Sequence, residues 1–117
     1  MTARTPIPRL DDIVEAIERV RAVIGNMSLE AFEADWQSRW LVERGIEIMS
    51  EASRHLTAEL KTRHPDIPWQ KVAGIGNVLR HNYENVAAPV IWSLVRNDLP
   101  QLEQVCRQEL AAARAND

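Results

Sequence analysis

The 117-residue sequence predicts an all-α protein, an antiparallel helical bundle of four to five main helices. Apolar residues recur at three- and four-residue steps along most of the chain, the spacing of one buried helix face. No segment alternates apolar and polar residues as a half-buried strand would, and no repeat or low-complexity run appears. The connectors are short and punctuated by glycine, proline, asparagine and aspartate, which forces neighbouring helices to run antiparallel.

The first helix carries Leu10, Ile13, Val14, Ile17, Val20 and Ile24 as its apolar stripe. Asp11 and Asp12 are expected at its positive N-terminal end, and Gly25-Asn26 at its stop. Ser28 is a candidate cap for the next segment. A longer helix is expected after it, with Leu41, Gly45, Ile48, Met49, Ala52, Leu56 and Leu60 on one side. Its other side carries Glu43, Arg44, Glu47, Glu51, Arg54 and Glu59. It should end near His64-Pro65, because the residue before proline is pushed out of the helical region.

Asp66 to Trp69 reads as a tight connector. A third main helix is expected from about Trp69 to Asn82, with Val72, Ile75 and Leu79 inward, and Tyr83 to Ala88 as the next break. Val90, Ile91, Leu94 and Val95 form a fourth apolar face. Asn97 to Gln101 restarts a last helix, with Asp98 as its cap and Gln101 reaching back. Leu102, Val105, Cys106 and Leu110 continue it, and the tail from Ala111 should fray.

The length fits one domain spanning 1–117, with 1–8 and 112–117 expected to be poorly ordered. The formal net charge of −3 argues against a protein that coats nucleic acid generally, but not against a local basic site. A single cysteine, Cys106, excludes an internal disulfide and reads as a small buried side chain. No apolar run reaches the ~20 residues of a membrane helix, and the N-terminus lacks the apolar core of a signal peptide, so the cytoplasm is the expected location.

The densest polar cluster is Gly76-Asn77-Val78-Leu79-Arg80-His81-Asn82-Tyr83. His81 is a side chain that can move a proton near neutral pH, and Arg80 one that can hold a phosphate. On a helix Asn77 and His81 are neighbours one turn apart, as are Gly76 and Arg80, while adjacent residues diverge by ~100°. Gly76 suggests close backbone approach, to another helix or to a ligand. The plainer reading is that His81 and Tyr83 only close the end of a helix. His55 reads as a solvated helix residue and His64 as part of the turn before Pro65.

Trp36, Trp40, Trp69 and Trp92 are expected mostly in the core. Trp36 and Trp40, four apart, form one ridge for which a subunit interface is the alternative. Glu43, Glu47 and Glu51 step along one face. Without a Glu-x-x-His motif elsewhere they read as a solvated surface rather than metal ligands, and no cofactor or metal is expected.

These residues resemble the HepT-like family, the HEPN-domain ribonuclease toxins of bacterial and archaeal toxin–antitoxin pairs. The similarity runs through Leu10-Asp11-Asp12-Ile13 and Ile17, Glu43 to Ala52, His64 to Trp69, Ala73-Gly74-Ile75, Val90-Ile91-Trp92 and Asp98-Leu99-Pro100. The resemblance implies a helical bundle that forms a homodimer, with two motifs facing each other across the interface. The family motif runs arginine, a polar residue, three more positions, histidine, one residue, tyrosine. Here Asn77, His81 and Tyr83 match it, while Gly76 stands in the arginine slot and Arg80 is the nearest substitute.

By resemblance, the chemistry is metal-independent RNA cleavage, in a type VII-like toxin–antitoxin pair. His81 would serve acid–base catalysis on the ribose 2′-hydroxyl, Arg80 would contact the phosphate, and Asn77 would orient His81 or the substrate. The implied partner is a minimal nucleotidyltransferase antitoxin, which silences the toxin by transferring AMP to the motif tyrosine, here Tyr83. The alternative is a catalytically weakened module that binds nucleotide, RNA or that partner. A rise in cleavage in Gly76→Arg would mark such a weakened member.

Overall fold

A computed structural model describes residues 5–82 and 88–116, with 80–82 described by their backbone. Among these residues the chain forms seven helices and no strand: α1 (Ile7–Ile24), α2 (Leu29–Ala34), α3 (Trp36–Arg54), α4 (Ala58–Thr62), α5 (Trp69–Asn82), α6 (Ala88–Asn97) and α7 (Leu99–Ala115). The all-α expectation holds, and α3 is the central element. It packs against α1 on one side and α5 on the other; α7 backs α1, and α2 and α6 pack together.

The apolar stripe of α1 is buried as its spacing requires: Leu10, Ile13 and Ile17 are inaccessible to solvent. The helix begins at Ile7, earlier than the acidic pair suggests, because Pro6 and Pro8 are tolerated in a first turn. Asp11 therefore lies in the second turn, where it accepts from Arg114 at 2.7 Å. That pairing sits beside the expected fraying of the tail, where α7 instead stays helical through Ala115.

The single long helix expected between Ser28 and His64 is three helices. Ser28 caps α2 by accepting from the Ala31 N–H at 3.1 Å. Asp35 caps α3, accepting from the backbone N–H groups of Gln37 and Ser38 at 3.2 and 3.3 Å. The Ser38 hydroxyl also donates to Asp35 at 2.8 Å and is the main cause of its lowered pKa. Thr57 caps α4 through the Leu60 N–H at 3.1 Å. Each cap satisfies an N–H that an uninterrupted helix would have bonded to a preceding carbonyl, so the chain turns without losing hydrogen bonds.

The buried face of α3 is also rotated from the expected one. Leu41 and Ile48 are exposed, and Val42, Ile46, Ser50 and Ser53 are buried in their place. Serines are tolerated inside because their hydroxyls bond to backbone: Ser53 to Ser50 O, and Ser50 to Ala73 O on α5, both at 2.7 Å. Against α1 the approach is close, since a Cβ on Gly45 would collide with the Val20 side chain.

Two further expectations change. Asp98 makes no side-chain cap bond and has helical φ and ψ. Its N–H donates to Leu94 O at 2.9 Å, so α6 passes into α7 with one residue between. Nor are the tryptophans mostly core: Trp36 and Trp40 are 53% and 66% exposed and meet edge to face at 5.1 Å. Trp69 and Trp92 are half-buried, and their indole N–H groups donate to the carbonyls of Lys61 and His64, and of Met27, respectively. Val90 is exposed, leaving Ile91 and Val95 as the buried residues of α6.

Ion pairs tie α7 to its neighbours. Arg21 of α1 pairs with the buried Glu103, and Arg107 bridges Glu103 and Glu18. Glu109 receives Arg63 at 2.7 Å and His64 at 2.6 Å, fastening the α4–α5 connector to α7. Burial pushes the nearby Cys106 thiol up to about 12, which keeps it an unreactive core side chain.

The hydrogen bond from Arg63, and after it that from His64, holds the Glu109 carboxyl below the usual glutamate range. A carboxyl with a lowered folded-state pKa contributes stability that is present above its unfolded pKa, about 4.3, and lost as pH falls through the folded value. Unfolding free energy is therefore expected to fall below about pH 4.3 more steeply in wild type than in Glu109→Gln; parallel acid titrations followed by circular dichroism check this.

Candidate functional site

Helix α5 spans Trp69–Asn82, the range its sequence predicts, and carries Gly76, Asn77, Arg80 and His81. Its orientation is set at one crossing with α3. There the Ser50 hydroxyl donates to Ala73 O at 2.7 Å and accepts from the Gly76 N–H at 3.3 Å. Arg54 adds two donations to Ala73 O, at 3.1 and 2.7 Å. Gly76 is buried here. A Cβ on it would stand 3.0 Å from Ser50 Oγ and 3.1 Å from Ser50 Cβ, so the glycine answers the close-approach expectation with a helix rather than a ligand.

This contact sorts α5 into three stripes by helical spacing. Ala73, Gly76 and position 80 follow the seam with α3. Val72, Ile75 and Leu79 turn inward, Leu79 fully and the other two in part. Gly74, Asn77 and position 81 make the third stripe. Asn77 is exposed, and nothing stands within 4 Å of where a Cβ on Gly74 would lie. Positions 77 and 81 thus fall on one stripe, where Asn77 is exposed, and position 80 on another. Tyr83, and the side chains of Arg80 and His81, lie outside the described residues, as does most of the break expected at Tyr83 to Ala88.

The other two histidines each stand beside a carboxylate. His55 is exposed at the end of α3 and stands 3.1 Å from Glu51, and His64 is held by Glu109. The Glu43, Glu47 and Glu51 face is only partly the solvated surface expected: Glu51 is exposed, while Glu43 and Glu47 are half-buried. Among the described residues no group of three His, Cys, Asp or Glu side chains is arranged to hold a metal ion. The main apolar concavity lies elsewhere, between Val72 and Ile75 on the inward side of α5 and Leu94, Leu99 and Leu102 of α6 and α7. Lys71, Asp98 and Gln101 also line it.

A family model described as "Ribonuclease HepT-like" matches residues 13–109, nearly the whole helical array. The chain belongs to the HepT-like ribonuclease family. This HepT-like chain is 36% identical to "Probable ribonuclease HepT" of Thermococcus cleftensis, over 80% of its own length and 86% of the relative's. It is 30% identical to "Putative RNase TTE0752" of Caldanaerobacter subterraneus, over 92% and 96% of the two chains. It is 28% identical to "Putative RNase MJ1380" of Methanocaldococcus jannaschii, over 81% and 87%. No solved structure matches the chain. Among the described residues no helix is long and apolar enough to cross a membrane.

The seam bears directly on substitution at position 76. Ser50 is held by two hydrogen bonds to α5 and cannot swing away from an added Cβ without breaking them. Gly76→Ala should gain ~1 kcal/mol of helix propensity yet lose ~1–3 kcal/mol to overpacking, and Gly76→Arg should lose more. Urea denaturation of both variants checks this ordering, with wild type expected to be the most stable of the three.

Proposed function

We propose that this HepT-like protein is a metal-independent endoribonuclease, the toxin subunit of a type VII-like toxin–antitoxin pair, and that it works in the cytoplasm. The observation that carries the reading is the open stripe of α5, which sets Asn77 one turn from His81 in a chain of a ribonuclease family. His81 takes the proton from a ribose 2′-hydroxyl. The 2′-oxygen then bonds to the adjacent phosphorus, and the bond from phosphorus to the 5′-oxygen breaks. The leaving 5′-oxygen is protonated in turn, so the products are a 2′,3′-cyclic phosphate and a 5′-hydroxyl end. An imidazole that titrates near neutrality suits both proton transfers. Arg80 supports the phosphate as charge builds, and Asn77 orients His81 or the RNA.

The active form is a homodimer. The exposed Trp36–Trp40 ridge supports this, because large aromatic side chains are enriched at interfaces and rarely stay in water. Two copies bring two motifs to one cleft, where a local positive field forms despite the acidic net charge. A sedimentation mass of one chain would remove this part of the reading.

Cleavage of RNA by the purified protein is expected to be lost in His81→Ala and to fall ~10²–10³-fold in Arg80→Ala, the usual consequence of removing one preorganised donor. Cyclic phosphate ends on the fragments check the route. Unchanged cleavage in both variants would sink the assignment.

The cognate antitoxin is a minimal nucleotidyltransferase that transfers AMP to Tyr83, blocking RNA by bulk and by negative charge. Co-expression with the neighbouring nucleotidyltransferase is expected to add the mass of one AMP group to wild type and nothing to Tyr83→Phe.

A second reading keeps the fold and drops the catalysis: a weakened module that binds nucleotide, RNA or the nucleotidyltransferase. Gly76 favours it, since the arginine slot is both empty of charge and closed by Ser50. RNA binding without cleavage in wild type would select this reading.

A further inference from the structure

The Ser50 hydroxyl anchors α5 to α3 at two backbone atoms about one turn apart. It donates to Ala73 O at 2.7 Å and accepts from the Gly76 N–H at 3.3 Å. Arg54 also donates twice to α5, but both bonds end on the same Ala73 oxygen. A single anchor point leaves a helix free to turn about it, and two points spaced along one face do not. Ser50 is 1% exposed, so water offers its hydroxyl no replacement partners.

Rotation of α5 decides where a centre on its flank points. Positions 77 and 81 lie ~100° around the helix from positions 76 and 80. Side chains stand ~5–6 Å from a helix axis, so a turn of ~10° moves them by ~1 Å. A misplacement of ~1 Å costs catalysis as much as ~10²-fold. The same crossing couples two side-chain sizes. A Cβ on Gly76 would stand 3.0 Å from Ser50 Oγ and 3.1 Å from Ser50 Cβ. Without the Ser50 side chain its nearest neighbour on α3 is the Glu47 Cα at 3.7 Å, an ordinary contact. Residue 50 therefore governs what residue 76 can be.

Resting on the ribonuclease reading above, we propose that Ser50 is a positioning residue of the centre on α5: its hydroxyl sets the rotation of the stripe that carries Asn77 and position 81, and its bulk keeps residue 76 a glycine. Ser50 is buried in the seam, and its influence passes through the Ala73 carbonyl and the Gly76 N–H. Helix α3 then contributes to the centre as well as α5. Ser50 and Gly76 act as one unit, in which a change at either is answered at the other.

The test compares wild type with Ser50→Ala, Ser50→Gly, Gly76→Ala and the double variant Ser50→Gly/Gly76→Ala. His81→Ala is the catalytic control, and Ile13→Val, a change in the buried stripe of α1, is the control for lost stability. RNA cleavage and urea unfolding are measured on each. Ser50→Ala is expected to lower kcat on the order of 10-fold to 100-fold with KM little changed, while Ile13→Val keeps the wild-type kcat. Gly76→Ala should lower the urea midpoint in the wild-type background and raise it in the Ser50→Gly background. The double variant regains packing but not the hydroxyl, so its kcat should stay low. Cleavage lost in His81→Ala but unchanged in Ser50→Ala, or a wild-type kcat in the double variant, overturns the positioning role alone. An equal fall in midpoint for Gly76→Ala in both backgrounds overturns the coupling. If wild type does not cleave RNA, the ribonuclease reading fails and the positioning role falls with it. The unfolding cycle then decides the coupling by itself.

Discussion

One serine hydroxyl organises this protein's most informative helix. Ser50 donates to the Ala73 carbonyl and accepts from the Gly76 N–H, so both sides of the hydroxyl are satisfied by the backbone of α5. A buried hydroxyl without partners would be costly. With partners on a single neighbouring helix it fixes that helix in translation and in rotation. The contact exists only because residue 76 has no Cβ. Glycine in a helix interior costs ~1 kcal/mol relative to alanine, and at this crossing the close packing and the hydrogen bonds it permits offset the cost.

That crossing divides the labour around α5. The seam stripe holds the helix, the inward stripe contributes Leu79 to the core, and the remaining stripe is left open with Asn77 on it. Gly76 in the arginine slot of a HepT-like motif reads, on sequence alone, as a vacancy. In the fold it is an occupied position whose occupant is Ser50 of another helix. In the proposed reading the cation that serves the phosphate comes from another position, Arg80, one turn further along the same stripe.

The frame around this seam is braced at its far side. The approach of α1 to α3 at Gly45 repeats the small-residue logic on the opposite flank of α3. Salt bridges from α7 to α1, and from Glu109 to Arg63 and His64, join segments that lie 45 or more residues apart in sequence. Exposed ion pairs of this kind contribute ~0–1 kcal/mol each. Glu103 and Glu109, whose side chains are only 11% and 12% exposed, have more to lose if left unpaired.

How much was legible in the sequence varies with the range of the force involved. The stripe of α1 and the limits of α5 were readable because periodicity and proline act within a few residues. The Ser28 cap was readable for the same reason. Asp35 and Thr57 were not, since the apolar pattern continues through both and only the turn of the chain reveals their hydrogen bonds. The pairing of Asn77 with His81, and its separation from Arg80, came from helical geometry. The exposure of Trp36 and Trp40, the burial of Ser50 and Ser53 and the partnership of His64 with Glu109 did not. By itself the sequence determined the helical class, the extent of α5 and which residues share each of its stripes, because these depend on local spacing. Only the tertiary structure decided which stripe faces α3, and therefore that Gly76 is closed and Asn77 open. Burial depends on the neighbouring helix, and no local pattern in α5 records where Ser50 will lie.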